Sequence, residues 1–223
     1  MNAPDRTVTV EVWSDIVCPW CYIGKRRLES ALEQFEHAAE VEVVWRSFQL
    51  DPTFPVGVRQ PVPEMLAEKI GGSVEQARRM NAEITELAAQ EGLAYDLDRA
   101  TMVNTVDAHR LTHLARAHGL GDAAHERLLR AQLVEAQVLD DVDTLVRLGV
   151  EIGLPEQETR RVVLGNDYVR DVRADLAEAR ALGVSGVPFF VLNRAFAVSG
   201  AQPVGTFLSA LRAAHEHARE SAA

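Results

Sequence analysis

The sequence has little cysteine and few aromatic residues, and it contains no long apolar run. Two of its 223 residues are cysteine and 6% are aromatic, whereas 47% are hydrophobic. A chain of this length and composition can bury a full hydrophobic core, so we do not expect it to be disordered. Its longest apolar stretch, 184–192, is interrupted by Ser185 and Pro188. This stretch is far shorter than the roughly 20 residues that span a bilayer.

Positive charge is also scarce. The 23 Lys and Arg residues are outnumbered by 33 Asp and Glu residues, which gives a formal net charge of -10. This balance argues against a surface that neutralises nucleic-acid phosphates, and an anionic membrane would repel it. The first residues, MNAPDRTVTV, lack the apolar run of about 7 residues that a signal peptide contains. We therefore expect a cytoplasmic protein that binds neither nucleic acid nor membranes.

The two cysteines, Cys18 and Cys21, lie three positions apart in a Cys-Pro-Trp-Cys segment. Two cysteines placed at random in this chain would have that spacing in about 0.9% of arrangements. A bridge between them closes too small a loop to stabilise a fold, so the pair is expected to be catalytic, redox-sensing or metal-binding. A zinc site needs four ligands, and the histidine pair His109 and His113 begins 88 positions after Cys21. We therefore predict no metal site.

Hydrophobic patterns along the chain predict an α/β fold. Strands are expected at 7–13 and 41–48, with a helix from the cysteines to His37 between them, which forms a parallel βαβ unit. From Pro61 to about Asn166 the pattern is helical, with no convincing strand. A long helix ending at Gly183, a hairpin with the turn Asn193-Arg194 and a last helix follow. A small α/β sheet is thus interrupted by an all-helical lobe.

The cysteine pair is predicted at the junction of the first strand and its helix. A thiolate rather than a thiol attacks disulfides, and the unpaired N–H groups of a helix N-terminus favour a negative sulfur. Cys18, at the N-terminus, is therefore predicted to be the nucleophile. Cys21, one turn further, is predicted to be the shielded resolving thiol that closes the intramolecular disulfide and releases the partner.

Four segments resemble the DsbA family in its FrnE-like branch, and together they cover nearly the whole chain. The resemblance implies a thioredoxin-like domain interrupted by an all-helical insertion lobe, with 1–60 and 166–223 in the first unit and 61–165 in the second. It also implies thiol-disulfide exchange at Cys18 and Cys21, with Val187-Pro188 as the cis-proline segment that faces them. The segments that carry the resemblance are SDIVCPWCYIG at 14–24, FQLDP at 48–52, GVPFF at 186–190 and SGAQP at 199–203.

Two other functions stay open at this point. Kappa-class glutathione transferases and 2-hydroxychromene-2-carboxylate isomerase resemble the same branch, and they bind glutathione. They usually carry a single serine or cysteine at the motif, so Cys21 favours disulfide chemistry, with glutathione as a reductant or a substrate and no bound cofactor expected. The second open function is that of a redox-sensing module, whose disulfide would report the redox state of the cell without catalysis. Expected partners are proteins or small molecules that contain disulfides, and the sequence leaves homo-oligomerisation open.

Three residues beside the cysteines are candidates for substrate binding. Pro19 and Trp20 lie between the cysteines, and an exposed tryptophan beside a reactive sulfur is a good docking anchor. The backbone of Val187 is expected to face outward and pair with an extended substrate strand.

Four further residues are candidates for the cleft. Asp15 is expected to bond backbone N–H groups of the turn, with proton relay as the alternative. Asn104, His109 and Arg110 belong to a helix predicted over 103–118, and they are candidates for lining the cleft over Cys18. For Arg110 we favour a buried salt bridge with Asp107, because both fall within an apolar arc.

Overall fold

A computed structural model describes residues 8–222 of the chain. The strands in that range are β1 (Val8–Ser14), β2 (Val41–Ser47), β3 (Gln60–Pro61), β4 (Thr101–Met102), β5 (Phe189–Leu192) and β6 (Phe196–Ser199). The α-helices are α1 (Pro19–Glu33), α2 (Val62–Ile70), α3 (Val74–Gln90), α4 (Val106–Ala117), α5 (Gly121–Leu133), α6 (Val142–Glu151), α7 (Glu156–Leu164), α8 (Val169–Ala181) and α9 (Val204–Ala222).

The four longer strands form one sheet in the order β2-β1-β5-β6. β1 and β2 run parallel with α1 between them, so the predicted βαβ unit is confirmed. β5 pairs antiparallel with β1 and with β6. The register of β1 and β2 places Ser14 opposite Ser47, at the ends of these two parallel strands. Both serines therefore lie at the edge of the sheet from which α1 departs.

The core of the sheet explains why β1 is buried at almost every position. Val8, Val10 and Val12 pack together with the apolar residues of α1 and α9, whereas Trp13 packs with Ala179 of α8. Full burial of a side chain such as valine contributes about 1.5 to 3 kcal/mol, so both faces of β1 are stabilised by helices. The end of β1 is consequently a fixed platform for the turn that follows.

The turn between β5 and β6 is the predicted two-residue hairpin. Asn193 and Arg194 both have positive φ angles, 50° and 56°, and Ala195 N–H donates to Leu192 O at 3.0 Å. Such a turn matches the right-handed twist of the two strands. The predicted helix end near Gly183 also agrees with the structure, because α8 ends at Ala181.

Two predicted helix boundaries and one predicted absence of strands are wrong. α1 ends at Glu33 rather than His37, because Phe35 turns back into the sheet core. The helix predicted from residue 103 begins at Val106, whose N–H donates to Asn104 Oδ1 at 3.0 Å. The region predicted to lack strands contains the β3–β4 ladder, whose two-residue strands are too short to show alternation.

Four helices, α4 to α7, lie between β4 and α8 in the chain, and they share a core with the turn after β1. Ile16, in the turn after β1, is fully buried among Leu111 of α4 and Leu128 of α5. The division of the chain at residues 60 and 165 stays a prediction. Within residues 8–222, no helix combines the length and the apolar character needed to cross a bilayer.

Candidate active site at the start of α1

Cys18 is the N-cap residue of α1, where the sequence predicts it. Its backbone is extended (φ -88°, ψ 113°) and Pro19 occupies the first helical position. Proline is favoured there, because its missing N–H would be unpaired in any residue and its φ already suits a helix. The turn is closed by Cys18 N–H donating to Asp15 O and by Cys21 N–H donating to Cys18 O, both at 3.1 Å. The positive end of α1 therefore lies at Cys18.

Both thiols are buried, with exposed fractions of 4% for Cys18 and 1% for Cys21. The Cys18 thiol donates to Val187 O at 3.6 Å. The Val187 carbonyl is thus turned toward the nucleophile, and the expectation that it faces outward is wrong. A substrate strand that pairs with Val187 O has to displace this contact.

The Val187-Pro188 peptide bond is cis, as predicted, and it lies directly against the cysteine motif. Pro188 also packs on α1 at Gly24. A Cβ atom at Gly24 would lie 2.8 Å from Pro188 Cγ and 3.2 Å from Phe190 Cζ. Only glycine leaves room for this approach, a requirement that the sequence pattern around the cysteines does not show.

The electrostatics of the site separate the two cysteines. Burial raises the pKa of the Cys21 thiol well above 9.0, and contact with Cys18 adds to the increase. Hydrogen bonds from the Ser14 hydroxyl and from the backbone at Asp15 oppose it only in part. Cys21 is therefore a protonated thiol at neutral pH, as expected for a resolving cysteine before it attacks.

Trp20 and Pro19 differ in their surroundings. Trp20 is 38% exposed beside the cysteines, so its predicted contact with a substrate stays a prediction. Pro19 O accepts a hydrogen bond of 2.6 Å from the Tyr95 hydroxyl, and the Tyr95 ring stacks on Tyr22 at 6.2 Å. Burial raises the pKa of Tyr95, which keeps its hydroxyl protonated as a donor. Sequence reasoning missed Tyr95, which lies 76 positions from Pro19.

Asp15 bonds a backbone N–H group, but not one in the turn before α1. Its Oδ2 accepts from Leu50 N–H at 2.7 Å, and its Oδ1 lies 3.4 Å from His109 Nε2. The Asp15 carboxylate thus holds the loop after β2 and the helix α4 next to the turn that leads into Cys18. His109 reaches the site through Asp15.

Asn104 and Arg110 are held by hydrogen bonds to neighbouring loops, and their predicted place over Cys18 stays a prediction. Asn104 Nδ2 donates to Phe54 O at 2.6 Å, which holds the loop after β2. Arg110 is buried and donates to Asp107 at 2.7 Å, so the salt bridge is confirmed. Its remaining donors bind carbonyl oxygens at the end of α7, those of Val162, Val163, Gly165 and Asp167. Carbonyl groups at a helix end lack the full set of N–H partners found in the helix interior, so they offer acceptors to the buried guanidinium.

One histidine and carboxylate cluster lies away from the cysteines, beyond the other end of α1. His37 Nδ1 and His215 Nε2 lie 3.1 and 3.0 Å from Glu40 oxygens, and these ligand atoms fall within 4.8 Å of one another. The two imidazole rings are stacked, with centroids 4.0 Å apart and planes inclined by 14°. Stacked rings direct their lone pairs side by side rather than toward a common point. The predicted absence of a metal site stays a prediction.

Comparisons with known proteins agree with this geometry. The family model of the DSBA-like thioredoxin domain matches residues 9–212. A probable DsbA oxidoreductase from Streptomyces coelicolor is 46% identical, with 93% of this chain and 89% of that chain covered and a TM-score of 0.90.

Two more distant structures share the fold. A 2-hydroxychromene-2-carboxylate isomerase is 14% identical, with 95% of this chain and 98% of that chain covered and a TM-score of 0.70. The cytosolic disulfide reductase DsbM from Pseudomonas aeruginosa, solved with GSH, is 21% identical, with 96% and 98% covered and a TM-score of 0.58.

Proposed function

Since the chain belongs to the DSBA-like thioredoxin domain family, we propose that it exchanges thiols and disulfides through Cys18 and Cys21. One observation carries the proposal: Cys18 lies at the N-cap of α1, against Val187 O, with the buried Cys21 thiol behind it. A helix N-terminus favours the attacking thiolate. The substrates that fit are disulfides of proteins or of small molecules.

The reaction proceeds in two exchanges. The Cys18 thiolate attacks one sulfur of the substrate disulfide, forms a mixed disulfide and expels the other sulfur as a thiolate. Cys21 then attacks Cys18 Sγ, which forms the Cys18–Cys21 disulfide and expels the second substrate sulfur. The substrate gains two electrons and the cysteine pair loses two. A thiol reductant returns the pair to the dithiol, and glutathione is the reductant that we propose.

The test is reduction of insulin disulfides with glutathione as the electron donor. Cys18→Ser should abolish turnover, and Cys21→Ser should accumulate a mixed disulfide on Cys18 that mass spectrometry detects. Arg79→Lys, a change at an exposed side chain of α3, serves as the control. Equal turnover by the Cys18→Ser variant would overturn the proposal. Stoichiometric oxidation without turnover would instead favour a redox sensor.

The same variants separate disulfide exchange from a glutathione-dependent isomerase or transferase. Such an enzyme would turn over an electrophile with glutathione, and it would not need a second thiol. Loss of this activity in Cys18→Ser with full activity in Cys21→Ser would favour it. We propose disulfide exchange because Cys21 is present and lies in contact with Cys18.

We also propose a cytoplasmic location, with no nucleic-acid or membrane partner. The cytosolic glutathione pool is poised at about -220 to -320 mV, so a pair with a potential near -180 mV would be held mainly as the dithiol. The protein would then act as a reductase or isomerase rather than as a net oxidant. Acid trapping of thiols in unstressed cells should find the dithiol, and a mainly oxidised pair would contradict this direction.

A further inference from the structure

The segment 199–203, one of the four that resemble the DsbA family, lies beside Pro188. It follows β6, and Gly200 N–H donates to Pro188 O at 2.8 Å. Gly200 has a positive φ of 79°, a backbone conformation that glycine adopts readily, and the chain turns there. The next residue, Ala201, packs against the apolar cluster that contains both cysteines. The position of Pro188 therefore depends on where this segment is held.

Arg27 of α1, nine positions after Cys18, binds this segment through its side chain. Its Nη1 donates to Ala201 O at 2.6 Å, and its Nε donates to Glu91 Oε1 at 2.6 Å. The side chains of Arg27 and Glu91 are each 18% exposed, so solvent screens their interaction less than that of a surface pair. Hydrogen bonds from a charged donor are about twice as strong as those between neutral groups. The guanidinium thus joins the segment firmly to α1.

The acceptor on the other side of the guanidinium is itself held in place. Glu91 follows the last turn of α3, where its N–H donates to Ala88 O at 3.0 Å. Four positions later the Tyr95 hydroxyl donates to Pro19 O, so this stretch contacts α1 at a second point. The planar fork of an arginine can bond two fixed acceptors at once in one orientation. Arg27 therefore has a defined geometry rather than a choice of partners.

Pro188 lies between two supports as a result. On one side it packs on α1, where a Cβ atom at Gly24 would lie 2.8 Å from Pro188 Cγ. On the other side Gly200 holds its carbonyl group, and Arg27 holds the residue after Gly200. Removal of the Arg27 side chain would leave the second support free to move.

Val187 carries the position of Pro188 to the nucleophile. The Cys18 thiol donates to Val187 O at 3.6 Å. Because a peptide unit is planar, a shift of Pro188 also moves the carbonyl group of Val187. The contacts thus lead stepwise from Arg27 to the sulfur of Cys18.

We propose that Arg27 positions the segment Val187-Pro188 against Cys18 for attack on a peptide disulfide, an inference that rests on the proposed function. Arg27 touches neither the substrate nor the reacting sulfurs, so it is a positioning residue. A substrate strand that pairs with the backbone of Val187 needs that backbone in one place while its disulfide reaches Cys18. A small alkylating reagent needs only the sulfur. Loss of Arg27 should therefore slow exchange with a peptide more than it slows alkylation.

The experiment compares two reactions of Cys18 in the reduced protein. The first uses an extended peptide whose single cysteine is joined to thionitrobenzoate by a disulfide. Attack on the peptide sulfur forms the mixed disulfide with Cys18 and expels thionitrobenzoate as a coloured thiolate, which stopped-flow absorbance follows. The second is alkylation of Cys18 by iodoacetamide, followed by mass spectrometry. The ratio of the two rate constants is the readout, because a general loss of structure around Cys18 would alter both.

Arg27→Met keeps the aliphatic stem and removes every donor, so the ratio of exchange to alkylation should fall roughly 10- to 100-fold, as expected for a small misplacement of a substrate-positioning group. Arg27→Lys keeps the charge but loses the planar fork, so the ratio should fall less. Arg26→Met is the matched control. This neighbouring arginine pairs with Glu29 and Glu126, and its side chain is 28% exposed. Its loss should lower stability and leave the ratio unchanged.

An unchanged ratio in Arg27→Met, or an equal fall in Arg26→Met, would overturn the positioning role while leaving disulfide exchange intact. If the unaltered protein releases no thionitrobenzoate from the peptide, or Cys18→Ser releases it as fast, the proposed function fails and the positioning role with it. If Arg27→Met does not fold, Arg27→Lys decides the matter: a lowered ratio supports the positioning role, and an unchanged ratio overturns it.

Discussion

The ends of β1 and β2 carry the same pair of residues in two different settings. Ser14 bonds to His125 and Ser47 bonds to His113, at 2.8 and 3.0 Å. His113 uses both ring nitrogens, because Nε2 also lies 3.1 Å from Asp175 and Nδ1 lies 3.1 Å from Arg116. His125 has an unpaired Nδ1 in the described part of the chain. A pair anchored by charged neighbours suits a structural role, whereas the other pair keeps one buried ring nitrogen without a hydrogen bond.

The anchored pair joins α8 to the sheet through Asp175. Its carboxylate accepts from Ser47 N–H at 2.9 Å and from Arg46 at 3.1 Å. Burial opposes the charged form, but the bonds to His113 and Ser47 outweigh it and lower the pKa of Asp175. Asp175→Ala should therefore cost about 3 kcal/mol of unfolding free energy, since it leaves buried donors unpaired. Urea titration measures this loss, and a change below about 0.5 kcal/mol would contradict the structural role.

The pH dependence of stability follows from the same carboxylate. A lowered pKa in the folded state stabilises the protein above the unfolded value of about 3.9, and this stabilisation is lost as the pH falls through the folded value. Asp175→Asn should reduce the loss of stability on acidification, which urea titrations at several pH values measure, and its reduction of insulin disulfides should be unaltered.

A further prediction concerns the relative reactivity of the Cys18 and Cys21 thiols. Iodoacetamide should modify Cys18 at least roughly 100-fold faster than Cys21 at neutral pH, because Cys21 is buried and its thiol stays protonated. Peptide mapping after short labelling times gives the two rates. Faster labelling of Cys21 would reverse the assigned roles.

Another prediction is that Gly24→Ala disturbs the contact between α1 and Pro188 and leaves Ser14 and Ser47 unaltered. The added methyl group would lie 2.8 Å from Pro188 Cγ, so the proline has to move away from α1. We expect a loss of about 1 to 3 kcal/mol in unfolding free energy and slower attack by Cys18. Ala31→Gly, in the same helix, is a control that should lower stability but leave the attack rate unchanged. Unchanged kinetics in Gly24→Ala would show that the position of Pro188 does not matter for attack.

The smallest effect is expected for Tyr95→Phe. This change removes the hydroxyl that donates to Pro19 O at 2.6 Å, and it keeps the ring. A loss of about 1 kcal/mol in unfolding free energy is expected, measured by thermal unfolding, with a modest change in the rate of attack by Cys18. An effect larger than that of Gly24→Ala would mean that Tyr95 takes part in the chemistry.

Features that depend on neighbouring residues were predictable from the sequence. The place of Cys18 at a helix start, the parallel βαβ unit and the turn at Asn193 each follow from a local pattern. The expected site at the motif itself therefore agrees with the structure. The salt bridge favoured for Arg110 also agrees, whereas a place of Asn104 or Arg110 over Cys18 stays a prediction, because periodicity shows that a helix face is buried without showing what covers it.

Contacts between distant segments were beyond reach. Ser14 and His125 are 111 positions apart, and the packing of α5 against the end of β1 joins them. A signal was present all the same: His125 lies three and four positions before Leu128 and Leu129, on the same buried stripe. A histidine on an apolar stripe indicates a buried imidazole, but single-sequence reasoning gives no partner for it.

The burial of Ile16 limits how the helices near the site can move. This side chain precedes Cys18 by two positions, and it is enclosed by residues of α4 and α5. Moving those helices away from the cysteines would expose Ile16, at a cost of about 1.5 to 3 kcal/mol, unless the turn that carries Cys18 moved with them. The helices α4 and α5 are therefore packed firmly against the turn before Cys18 rather than hinged over it. Transfer of the cysteine motif to another thioredoxin scaffold would therefore require α4 and α5 as well.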